Sequence, residues 1–186
     1  MDLEVSDKNI LTNFIKDFVF VIDKLKIKYI IVSGFVAIAH GRSRGTEDID
    51  MIIEKLSLDK FSELHFTLVK NGFECLQSDK PKDIYDYLTD NTSIRYIRKE
   101  EFLPNMEIKF AKDELDNVQL ENRTKLPLTK MNFYFSSIET NIAFKEELLK
   151  SPKDMADAKH LRIIYENQLN EKEIAKIKKL IHKYRL

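Results

Sequence analysis

Apolar residues recur three and four apart through Ile10, Phe14, Val21 and Leu25, the spacing of one helix face, and Asp7 precedes them as a capping side chain. The rhythm then changes. Residues 27–32 form a short β-branched and aromatic run, the composition of a buried strand. After Ser33-Gly34 the short apolar stretch 35–40 suits a single helical piece, and a polar loop flanked by glycines follows, Gly41-Arg42-Ser43-Arg44-Gly45-Thr46. Residues 48–53 alternate acidic and apolar before turning fully apolar, which predicts a second strand.

Ser57 predicts the cap of a helix that ends at Asn71-Gly72, where glycine suits the left-handed position after the last turn. Residues 73–76 are a short strand. Residues 80–88 are ambiguous, although Pro81 is well placed at a helix start. Residues 93–97 and 105–111 alternate as strands, and 118–128 with 131–135 are read as a further ribbon near the sheet edge. From Ser137 onward the period is helical, over 138–149, 152–167 and 171–184. Strands and helices thus mingle to about residue 135 and helices alone follow. The expectation is an α/β (α+β) fold, with a mixed β-sheet flanked by helices over residues 1–135 and a helical C-terminal subdomain over 136–186.

Composition narrows the function classes. The chain has 186 residues with 43% hydrophobic, enough for a proper core, and 33% charged. No apolar run approaches the roughly 18 residues of a membrane span, and residues 1–8 lack a basic-then-apolar pattern, so a cytoplasmic protein without membrane partners is expected. The single Cys75 excludes an internal disulfide. Basic and acidic residues balance at 31 each, so no overall attraction to nucleic acid exists. The basic run 172–185 carries Ile174, Ile177, Leu180 and Ile181 at helical spacing and reads as a solvated helix face. Asp79, Asp83, Asp86 and Asp90 read likewise.

Three of the four glycines (Gly34, Gly41, Gly45) fall within twelve residues, which marks special turns or a close approach of backbone to ligand. A Ser-Gly pair after a strand and before a helix turns backbone N–H groups toward an anion. Asp48 and Asp50, two apart on a strand, project from one face. Two adjacent carboxylates repel unless something positive joins them, and a hard divalent cation is the natural occupant. A bare Asp-x-Asp is common by chance. The weight here comes from its place after the strand, Ser-Gly turn, helix and loop, with thirteen residues between Gly34 and Asp48. No Gly-x-x-x-x-Gly-Lys loop, Gly-x-Gly-x-x-Gly fingerprint or nucleophile elbow occurs.

Ser33-Gly34 followed by Asp48-Ile49-Asp50 resembles the signature of the polymerase β-like nucleotidyltransferase superfamily. The fuller stretch, Val32-Ser33-Gly34-Phe35-Val36-Ala37 with His40-Gly41, Arg44, Thr46, Asp48 and Asp50, is similar to the small stand-alone branch that includes AbiEii-type toxins. Ser33 stands where that family more often has Gly. The resemblance implies a nucleotidyltransferase fold and a third carboxylate on a later strand. Glu107, in Met106-Glu107-Ile108-Lys109-Phe110, is the candidate, where the family mostly has Asp. Met106, Ile108 and Phe110 would then face the core. A half-buried strand with Glu107 and Lys109 toward solvent fits the same alternation.

The same resemblance implies that Ser33, Gly34, Arg44, Thr46, Lys145 and Lys153 contact the nucleotide, with Asp154 and Asp157 closing or bracing the pocket. Arg42 is a second loop cation, and His40 reads as a packing or capping residue. The implied activity is metal-dependent transfer of a nucleoside monophosphate from an NTP to an acceptor, using Mg²⁺ (or Mn²⁺) held by Asp48, Asp50 and Glu107. The acceptor is open among a protein, a tRNA end and a small molecule, and a toxin-like enzyme would have an antitoxin protein as partner. The alternative is a catalytically silent protein of this fold that binds nucleotide or a partner chain.

Overall fold

The computed structural model describes residues 2–42, 46–126 and 131–186, with side chains from residue 10 onward. Eight α-helices are present among them: α1 (Asp2–Lys24), α2 (Gly34–Ala39), α3 (Leu58–Lys70), α4 (Pro81–Thr89), α5 (Glu114–Glu121), α6 (Ile138–Phe144), α7 (Pro152–Ile164) and α8 (Glu171–Arg185). The strands β1 (Tyr29–Val32), β2 (Asp48–Ile53), β3 (Phe73–Cys75), β4 (Ile94–Arg98) and β5 (Asn105–Phe110) form one mixed sheet in the order β1-β2-β5-β4-β3. The chain divides into two compact units, one of Met1–Tyr29 with Gly45–Lys112 and one of Ile30–Arg44 with Asp113–Leu186. No helix among the described residues is long and apolar enough to cross a membrane.

In the first unit β2 runs parallel to β5, while β5–β4 and β4–β3 are antiparallel. Alternation sorts the faces. Ile49, Met51, Met106, Ile108, Ile94 and Tyr96 are buried on one side of the sheet, and Asp48, Asp50, Glu107 and Arg95 alternate with them on the other. The apolar face meets α1, whose Leu11, Phe14, Ile15, Phe18, Val19 and Ile22 form a continuous buried stripe. Phe73 packs edge-on against both Phe14 and Phe18, at 5.6 and 5.1 Å between ring centres. The helix backbone starts at Asp2, so it runs five residues ahead of the expected Asp7 cap, a side chain outside those described. In α3 the Ser57 hydroxyl accepts from the Lys60 N–H, and Gly72 follows the helix end at φ +84°, a left-handed conformation that explains glycine there.

On α3, His65 is buried. Its Nε2 donates to the Asp79 carbonyl at 3.2 Å, which leaves Nδ1 to accept from the Tyr96 hydroxyl at 2.8 Å. Burial lowers its pKa from the ordinary 6.5, so the folded ring resists protonation. As pH falls through 6.5 the unfolded chain takes up the proton first. The stability tied to the neutral ring is therefore complete above that value and is lost progressively below it. The thermal midpoint is expected to fall between pH 7 and pH 5, and His65→Gln to flatten that slope. An unchanged slope in the variant would remove His65 as the cause.

In the second unit Ile142, Leu161, Ile174, Ile177 and Ile181 are buried, and α8 packs on α6 and α5. The Arg185 guanidinium pairs with Asp116 at 2.7 Å and with Asp113, so the last turn of α8 is tied to the start of α5. The ribbon expected over 118–128 and 131–135 is corrected here. Residues 118–121 belong to α5, because the Asp113 carboxylate caps it by accepting from the Asp116 N–H and Leu115 and Leu120 bury one side. Of the ribbon there remain bridges from Phe135 to Thr124 and Ile31; residues 127–130 lie outside the described ones. The single helix expected over 138–149 is α6 followed by a π-helical turn, Lys145–Leu149. Lys150 ends it at φ +55°, and Pro152 restricts the backbone just before it.

Candidate active site

In the first unit the site is built on the polar face of β2 and β5. Asp48 is exposed and Asp50 half-buried, while Ile49 and Met51 anchor the strand from the other side. The Thr46 hydroxyl donates to the Asp48 carbonyl at 2.9 Å and so holds the beginning of β2. The parallel register sets Asp48 beside Asn105 and Asp50 beside Glu107. The antiparallel register then sets Arg95 of β4 beside Glu107. Two polar rows result, Asp48–Asn105 and Asp50–Glu107–Arg95, across one face of the sheet.

Each row has its own chemistry. The Asn105 amide nitrogen donates to the Asp48 carboxylate, while its carbonyl oxygen is buried without a partner among the described residues. Glu107 is 15% exposed and accepts from the Arg95 guanidinium at 2.7 Å, Arg95 itself being 44% exposed. Glu107 thus shares a face with Asp50, but its charge is matched by arginine. Among the described residues, no three His, Cys, Asp or Glu side chains are grouped closely enough to hold a metal ion.

In the second unit the Ser33-Gly34 pair opens α2, whose six residues are all buried. Ser33 has φ +68° and ψ −136°, a conformation that favours glycine, and its hydroxyl makes no capping bond. This is the physical reason for a glycine at this point in the resembling pattern. Ser33→Gly is expected to raise stability by about 1 kcal/mol, the relieved strain exceeding glycine's entropy cost. Urea denaturation checks this, and a lower midpoint would show that the backbone at Ser33 is unstrained. After α2, the His40 ring donates from Nδ1 to the Val36 carbonyl at 2.7 Å and accepts from the Tyr165 hydroxyl at Nε2, also at 2.7 Å. His40 packs and caps, as its position in the sequence suggested.

The other predicted residues of this unit converge on α7. The Lys145 ammonium, 1% exposed, lies 2.9 Å from Asp157 and 3.3 Å from Asp154. Asp157 is fully buried and also receives the Arg42 guanidinium, which donates to the Lys153 carbonyl at 3.2 Å as well. Ser151 caps α7 through the Asp154 N–H and donates its hydroxyl to the Asp154 carboxylate. Among the described residues, Lys145, Arg42, Asp154 and Asp157 therefore form one largely buried cluster of opposite charges. The Lys153 side chain is exposed. Arg44 lies outside the described residues.

Two participants were not foreseen from sequence, Asn105 and Arg95. The available signal was alternation: Asn105 lies two residues before Glu107, and Arg95 alternates with buried Ile94 and Tyr96. What makes each a neighbour of a carboxylate is strand register, which no local pattern encodes.

No family model and no curated protein sequence matches the chain. Solved structures do. A solution structure of the antibiotic-resistance factor ANT(2'')-Ia, described as revealing substrate-regulated conformation dynamics, superposes with a TM-score of 0.57 at 11% identity, covering 95% of this chain and 93% of that one. A crystal structure of ANT(2")-Ia in complex with adenylyl-2"-tobramycin gives a TM-score of 0.57 at 13% identity, covering 95% and 99%. The chain has the nucleotidyltransferase fold: a mixed sheet with flanking helices, as the sequence led us to expect.

Proposed function

We propose that this chain is a metal-dependent nucleotidyltransferase that moves a nucleoside monophosphate from an NTP to an acceptor hydroxyl. The observation that carries this reading is the placement of Asp48 and Asp50 on one face of β2, in register with Asn105 and Glu107 of β5, within the nucleotidyltransferase fold. Two carboxylates and a buried amide oxygen that lacks a partner among the described residues are hard oxygen donors, and they fit a divalent cation such as Mg²⁺ (or Mn²⁺). The chemistry supplied by the cation when bound is neutralisation of the phosphate oxygens and of the attacking and leaving oxygens.

The chain's own residues do the rest. Asp48 and Asp50 hold the charge; Thr46 and Asn105 keep Asp48 in place. Glu107 is the carboxylate proposed to take the acceptor proton. To do so it must part from Arg95, which is exposed enough to turn toward water or toward an anionic group of the substrate. Ser33, Gly34, Arg44 and Lys153 are proposed to contact the polyphosphate on the strength of the sequence pattern. Lys145 belongs to this group by the same pattern, with Asp154 and Asp157 as its positioning partners.

The first acceptor class to test is a small polyhydroxylated molecule, since one structural neighbour is bound to adenylyl-2"-tobramycin. Protein and tRNA are the other arms, and labelling of tRNA would favour the toxin-like branch with its separate antitoxin. Purified chain, Mg²⁺ or Mn²⁺ and each α-³²P NTP are incubated with an aminoglycoside panel, bulk tRNA and cell-extract protein. Metal-dependent label in one arm, absent from the Asp48→Ala/Asp50→Ala variant, is the expected result. Equal labelling by that variant would refute transfer at this site. A second reading, nucleotide binding without transfer, is favoured by the Glu107–Arg95 pair alone. It predicts metal-dependent NTP binding with no label in any arm.

A further inference from the structure

Asn105 stands apart from the carboxylates around it. Its side chain is 6% exposed, its amide nitrogen donates to Asp48, and its carbonyl oxygen is buried with no partner among the described residues. A buried amide oxygen left without a donor costs free energy that a core residue would ordinarily avoid. Neither alternation nor the resembling sequence pattern accounts for an amide here. A leucine has the same branched outline without a polar atom.

The arrangement makes sense as one half of a two-state site. The two ends of a carboxamide are nearly equal in size and opposite in hydrogen-bonding character. Facing a bare carboxylate, the NH₂ end is preferred. Facing a cation seated on that carboxylate the local sign is reversed, and a half-turn about χ2 presents the oxygen instead. Resting on the proposed cation role of Asp48 and Asp50, we infer that Asn105 contributes a neutral oxygen to that cation. The site then has three oxygen-bearing side chains from two adjacent strands; the oxygen takes the cation as its partner, and the NH₂ end moves into the place the oxygen held. Mg²⁺ and Mn²⁺ accept amide oxygen beside carboxylates.

The rival explanation is that Asn105 only clamps the start of β5 to β2, as its backbone N–H does by donating to the Glu47 carbonyl at 3.0 Å. Mn²⁺ titration of the full-length chain, by electron paramagnetic resonance and calorimetry, separates the two. Asn105→Ala is expected to weaken Mn²⁺ binding about 10- to 100-fold, the range for removing a supporting group at a metal site. Asn105→Asp is expected to hold Mn²⁺ several-fold more tightly, yet to melt lower than wild type in EDTA, where two carboxylates would face each other across the strands. Unchanged Mn²⁺ affinity in Asn105→Ala, or weakened affinity in Asn105→Asp, would overturn the inference. If the alanine variant does not fold, the aspartate variant decides alone. A wild-type chain that binds no Mn²⁺, or an Asp48→Asn/Asp50→Asn chain that binds it fully, would remove the cation site itself, and Asn105's role with it.

Discussion

Asp157→Ala is expected to destabilise the chain by about 3–5 kcal/mol, the usual cost of leaving one member of a buried ion pair unmatched. Asp157 is fully buried and holds both Lys145, at 2.9 Å, and Arg42. Its loss removes the nearer carboxylate from a 1%-exposed ammonium and leaves Asp154 at the longer 3.3 Å. Arg42 is partly exposed and can turn to water; Lys145 cannot. Asp154→Ala should cost less, because Asp154 is partly exposed and its backbone cap through Ser151 survives. Urea denaturation followed by circular dichroism measures both. The Lys145→Met/Asp157→Leu pair should recover much of the loss, since apolar replacements of buried ion pairs are often neutral or better. A midpoint for Asp157→Ala within about 0.5 kcal/mol of wild type would show that the cluster is solvated and its charges independent.

Asp48→Asn and Asp50→Asn should act the opposite way, on transfer and not on stability. Each keeps its shape and loses the charge that the proposed cation requires. Nucleotidyl transfer is expected to drop at least about 10³-fold, equivalent to about 4 kcal/mol of transition-state stabilisation. The folded state should barely notice. Asp48 is exposed, and its loss of charge weakens one bond from Asn105, a change of about 1 kcal/mol or less. Removing one of two like charges on the same strand face offsets part of that. Initial rates on the labelled acceptor, beside urea midpoints, give both quantities. Transfer that survives either substitution would dissociate the activity from β2.

These two outcomes divide the site residues by what they do. Asp48 and Asp50 were legible from local pattern, because a strand's period of two puts them on one face wherever the strand is packed, and burial of Ile49 and Met51 settles which face. The Ser33-Gly34 turn and the helix after it were legible for the same local reason, although the positive φ of Ser33 was not. The 118–128 ribbon was misread because a capping aspartate five residues upstream outweighed the weak alternation of the segment it precedes.

Pairing and burial of charge belong to another level. The sequence by itself determined most of the elements and their order along the chain, and a polar face on each of two strands, one bearing Asp48 and Asp50 and the other Glu107. Only the tertiary structure decided that Asp48 meets Asn105, that Glu107 is matched by Arg95, and that Lys145 is sealed between two aspartates. Alternation and capping act over a few residues and leave their mark in composition. The partner of a side chain is set by strand register and helix packing, contacts made across 9 to 115 residues, whose free energy is invisible to any local window.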